Sequence, residues 1–140
     1  MAGTAQGAVT LADVRDLAAT ALGPEAPDDP PVLVDVVDSL TPPALMLVWG
    51  DPWLAPAIGN RPTMGPCLWS ARLQVLCVAA RIEPGPGIRV LEQLVAYTVD
   101  RMGADPYTWP LENVTAPRVF EIAALSYLGA RVTYLVPITV

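Results

Sequence analysis

Apolar and polar residues alternate most regularly between Leu68 and Arg81. Trp69, Ala71, Leu73, Val75, Cys77 and Ala79 fall on one side, and Ser70, Arg72 and Gln74 on the other. That period of two predicts a long strand with one buried face. Two segments carry the helical period instead. Leu11, Val14, Leu17, Ala18, Ala21 and Leu22 form a stripe that predicts a helix over 10–22, with Thr10 as its N-cap and Gly23-Pro24 as its stop. Ile88, Leu91, Leu94, Val95, Thr98 and Met102 predict a second helix over 88–102, ended by Gly103. Ala44 to Trp49 reads as a buried strand after Pro42-Pro43, and Val32 to Val37 as a short strand within an extended connector. Arg118–Leu125 and Arg131–Val140 alternate and predict two further strands, with Tyr127-Leu128-Gly129-Ala130 leading into the second. Pro137 cannot donate to a ladder, which predicts an edge or a bulge there.

Helix, strand, long strand, helix, strand, strand predicts an α+β domain. The expected form is a largely antiparallel four-stranded sheet packed by two helices, in the order α-β-β-α-β-β with a long β–β loop. Residues 1–9 are small and polar and are expected to fray, leaving 10–140 as one domain. The loop over 50–66 contains four prolines and three glycines, yet also Trp53, Leu54 and Ile58. A long loop with that apolar load predicts a contact surface, with Arg61 beside it. The second loop, 104–117, carries Tyr107 and Trp109.

Composition points the same way. Hydrophobic residues are 53% and charged residues 16% of 140, against about 25% charged in ordinary soluble domains. No apolar run approaches the roughly 18 residues of a membrane span. A small apolar chain of this kind is expected to bury surface against other copies or other proteins. The net charge of −6 is unevenly placed. Residues 1–38 hold seven acids, including Asp28, Asp29, Asp35 and Asp38, and one base, Arg15. The remainder balances seven acids with seven arginines. This acidic quarter is a second candidate contact surface. With no lysine and no basic cluster, the chain lacks the positive surface that phosphate binding needs.

Catalytic chemistry has little to stand on. There is no histidine, so Ser39, Ser70 and Ser126 have no imidazole to activate them. Cys67 and Cys77 lie ten positions apart on one expected strand, about 33 Å, too far to pair within it. They read as buried thiols. The acids of the connector lack the spacing of a cation loop. Gly85-Pro86-Gly87 has neither nucleotide-binding spacing. Asp13, Arg15 and Asp16 interrupt any leader-like apolar run. Neither an enzyme nor a cofactor is expected.

The stretch Val34 to Trp49 is an acidic extended segment, then Ser39-Leu40-Thr41-Pro42-Pro43-Ala44, then a hydrophobic strand. It resembles small neck and tail proteins of long-tailed bacteriophages. The order that follows is also similar: a long strand with Trp69, the helix from Leu91 to Met102, and a C-terminal pair containing Tyr127-Leu128-Gly129-Ala130. The layout of residues 10–140 resembles the tail terminator (tail completion) family, whose members share an α+β fold. The resemblance implies a structural virion protein, assembled in the host cytoplasm. It would form a homo-oligomeric, six-fold ring at the head-proximal end of the tail tube. Such a ring stops tube polymerisation and joins the tail to the head connector. It further implies a tail tube protein and a connector or stopper protein as partners, and genomic DNA passing through without specific binding. Another neck protein is the near alternative. A small-ligand-binding regulatory α+β domain is the alternative of another class, with its pocket at the turn over 83–87.

Overall fold

The computed structural model describes residues 9–23, 29–34, 42–56, 68–81, 86–122 and 124–139. Along the chain these form β1 (Val9–Thr10), a 3-10 turn (Leu11–Asp13), α1 (Val14–Leu22), β2 (Val32–Leu33), β3 (Ala44–Pro56) and β4 (Leu68–Arg81). Then follow α2 (Pro86–Ala104), β5 (Leu111–Val114), β6 (Arg118–Ile122) and β7 (Leu125–Thr139). All seven strands share one sheet, ordered β1-β7-β4-β3-β2, with β5 and β6 also on β7.

This corrects the expected four-stranded antiparallel sheet. The sheet is mixed, because β1 runs parallel to β7 and β2 parallel to β3. β1, β2 and β5 are two to four residues long and are held in strand form by their pairing partners, so little local periodicity marks them. β3 also runs on through Gly50-Asp51-Pro52 to Pro56, where turn-forming residues predict a loop. β7 is not an edge strand. β4 pairs along one side of it, and β6, β5 and β1 share the other. Pro137 falls between the partners of β5 and those of β1, where its missing N–H interrupts no ladder on that side.

Both helices cover one face of the sheet. Val14, Ala18 and Leu22 of α1 and Leu91, Leu94, Thr98 and Met102 of α2 are buried. They meet Leu45 and Leu47 of β3, the 71–79 row of β4 and the 130–138 row of β7. At the expected N-terminus of α1, the Thr10 hydroxyl donates to Asp13 Oδ2 (2.7 Å), and a 3-10 turn precedes the helix proper. At its far end the Tyr97 hydroxyl donates to the Leu22 carbonyl (2.8 Å), which ties α1 to α2. Ile88, expected on the buried stripe of α2, is exposed. The opposite face holds a smaller cluster of Ala44, Met46, Leu76, Val78 and Tyr127, flanked by Phe120 and Ile122 of β6.

Candidate assembly surface

A bulge breaks β3 between Trp49 and Leu54. There the sheet widens around Arg72 of β4. The Arg72 stem lies against Gly50, where a Cβ would come within 2.5 Å of its Cγ. Glycine is needed for that close approach. The guanidinium donates to the Pro52 carbonyl (3.3 Å) and, through Nε and Nη2, to both carboxylate oxygens of Glu112 on β5 (2.9 Å each). One side chain thus ties the β3 bulge to β5 across the intervening β7. The acid it meets is Glu112 of β5. The hydrogen bonds from Arg72 hold the Glu112 carboxyl below the usual carboxylate range.

The sign of that shift sets a pH dependence. A carboxyl whose value is lowered on folding contributes stability above its unfolded value, near 4.3, and loses it as pH falls through the folded value. Wild type should therefore lose more stability than Glu112→Gln on acidification below about pH 4. A double-mutant cycle with Arg72→Ala at neutral pH should give a coupling of about 0.5–1 kcal/mol that shrinks with salt. Chemical denaturation of the four proteins reads both effects.

The other candidates of the sequence fall into three groups. Asp28, Asp35, Asp38, Ile58 and Arg61, and with them Cys67, lie outside the described residues. Asp29 accepts a charge-assisted hydrogen bond from Arg101 (3.2 Å), and Arg101 also stands over the Tyr97 ring. Leu54 and Tyr107 are half-buried against the helix-side core, and Trp109 is buried there. Asp105 explains how the second loop folds inward. Its Oδ2 accepts from the Trp109 indole (2.8 Å) and from the Tyr107 backbone N–H (3.1 Å).

Trp53 differs from all of these. Its ring is 46% exposed and leans on Trp49, with centroids 5.4 Å apart. Trp53→Ala removes a half-exposed side chain and the outer half of this aromatic pair. It should leave the thermal midpoint nearly unchanged while weakening assembly; a large fall in the midpoint would assign Trp53 to folding instead.

Sequence reasoning missed a second set of exposed apolar groups on β5 and β6. Leu111 is 49% and Val119 56% exposed, with Val114 beside them. Reading 104–117 as a loop hid Leu111 and Val114. The signal available was Leu-Glu-Asn-Val, flanked by Pro110 and Pro117 as edge strands often are. On β7, the Arg131 guanidinium covers the Phe120 ring at 4.6 Å, and its buried Nε has no hydrogen-bond partner among the described residues.

Buried polar chemistry is inward-facing. Burial pushes the Cys77 thiol up to about 11, against the opposing effect of its contact with the Thr98 hydroxyl (3.5 Å). At neutral pH it is a protonated core group, not a thiolate nucleophile. Among the described residues, no group of three acids or cysteines is placed to hold a metal ion. A cleft of about 220 Å³ lies between α2 and the connector, lined by Asp29, Pro30, Pro43, Gln93, Leu94 and Tyr97 among others. It is not at the glycine-containing turn over 83–87. Among the described residues no helix is long and apolar enough to cross a membrane.

No protein-family model matches the chain, and a search of curated proteins gives no significant match.

Proposed function

We propose that this chain is a structural assembly subunit of a long-tailed bacteriophage, acting as a tail terminator. In this reading several copies form a ring at the head-proximal end of the tail tube. The ring stops tube polymerisation and presents the joint to the head connector. The tube protein, the connector or stopper protein and further copies of the chain are its partners, and DNA passes through its lumen. The observation that supports the reading most is a sheet with exposed apolar side chains along two different edges, Trp53 on β3 and Leu111 and Val119 on β5 and β6. Exposed apolar groups beside unpaired backbone suit a subunit that is completed by neighbours. The sequence layout supplies the placement within the tail, and the low charge and absence of a basic cluster suit a DNA conduit.

Reconstruction of assembled particles tests this directly. Expected is a ring of this chain on the tail axis between tube and head connector, and tails of uncontrolled length when the chain is absent. A single copy per particle, or a position off the axis, overturns the reading. An axial ring bound only to the portal side, with tails of normal length without it, replaces the terminator by another neck protein.

A further inference from the structure

We infer that the sheet of one copy continues into that of a second copy, the β5 edge of one pairing with the outer edge of β3 in the next. The inference rests on the ring reading and names its seam. On the outer side of β3, β2 pairs only with Leu45 and Met46. From Leu47 to Pro56 that side has no strand partner among the described residues. Among the described residues β5 pairs with β7 alone, and its four residues are all exposed.

The two edges match in level, direction and side. Trp49 pairs with Leu73, Leu73 with Tyr134, and Tyr134 with Leu111. One row of residues therefore crosses the sheet from one bare edge to the other. Strand directions alternate across β3, β4, β7 and β5, since each neighbouring pair is antiparallel. A second copy set beside the first, with the same face up, places its β3 antiparallel to β5, so the alternation continues through the seam. Directly opposed residues share a face. Leu73 and Tyr134 belong to the helix-side core, which puts Trp49 and Leu111 on that same side. Trp53 leans on Trp49. Without stagger, the exposed Leu111 of one copy thus meets the exposed Trp53 of the next.

The occupant is a second copy because the edges complement each other and differ from each other. An interface between unlike edges is head-to-tail, the kind that closes into rings. Both edges also carry a bulge, between Trp49 and Leu54 in β3 and between Leu111 and Asn113 in β5. Bulges shorten the run of backbone bonds available to any passing strand, which leaves selection to the Leu111–Trp53 contact.

The test uses the full chain with Cys67→Ser, so that buried Cys77 is the remaining native thiol. Trp53→Cys combined with Leu111→Cys should give, on mild oxidation, a ladder of covalent oligomers beyond the dimer. Neither single variant should exceed background. Leu111→Arg should weaken self-association about tenfold or more, while Val99→Arg, at an exposed apolar site on α2, should stay within about twofold. Far-ultraviolet circular dichroism verifies that each variant is folded. Dimers from Leu111→Cys alone, unchanged association of Leu111→Arg, or a wild type that remains monomeric at millimolar concentration overturns the seam. An axial ring indifferent to Leu111→Arg overturns the seam and leaves the terminator reading standing. The full ladder from a chain found off the tail axis does the reverse.

Discussion

Gly129→Val is expected to cost a large share of the stability of the fold. A Cβ at Gly129 would lie 2.6 Å from the Cys77 carbonyl oxygen and 3.2 Å from a ring carbon of Phe120. The first is backbone of β4, and Gly129 itself is paired on both sides, with Val78 and with Arg118. Neither neighbour can retreat without breaking a ladder. Overpacking a well-filled interior by single methylenes costs about 1–3 kcal/mol, so Gly129→Ala should fall in that range and valine at or above its top. A domain of this size has only about 5–15 kcal/mol in total. In urea, the midpoint should fall steeply for both variants with little change in slope. An alanine variant as stable as wild type would mean that β6 and β7 separate more readily than this pairing implies.

Trp109→Ala should have an effect of comparable size, and it separates folding from assembly. Trp109 is 8% exposed, packs on the helix-side core and donates its indole hydrogen to Asp105. Truncating a buried aromatic costs about 3–5 kcal/mol, and here it also leaves the Asp105 carboxylate short of one donor. The thermal midpoint should drop by more than 10 °C, taking roughly 4 °C per kcal/mol for a chain of this length. Trp53→Ala supplies the contrast: the same chemical change on a half-exposed ring that leans on Trp49. The two variants together test whether the two loops of the sequence do different work.

The elements read from periodicity were those with one face in the core. β4 shows this best: its alternating row from Ala71 to Ala79 is buried, and Leu68–Arg81 are its bounds as expected. α2 kept Leu91, Leu94, Thr98 and Met102 inward for the same reason. What escaped was set by partners distant in sequence. β5 is exposed at every position and exists because β7 offers it an edge. The extension of β3 runs through Gly50, Asp51 and Pro52, and its strand form depends on Arg72 and on pairing with β4 beyond the bulge. The four-stranded sheet was therefore short by the strands that carry no pattern of their own. Among the surface candidates, composition could flag aromatic residues in loops but could not sort them. Trp109 is drawn inward by an acid four positions earlier, while Trp53 leans on Trp49 and stays half-exposed.

The pairing of β7 has a consequence for the time course of folding. Residues 9–10 bond to residues 138–139, and β4 waits for β7 along nearly its whole length. During synthesis, β3 and β4 emerge and can pair, yet the edge of β4 that takes β7 stays open until that fifteen-residue strand arrives. Distant strand pairings are slow to form, and an unpaired apolar strand is the part of a nascent chain most prone to misassociation. Copies made close together on one message would then meet with β4 still bare. Slower synthesis or lower temperature during expression should therefore raise the yield of correctly folded chain more than a change in final buffer does.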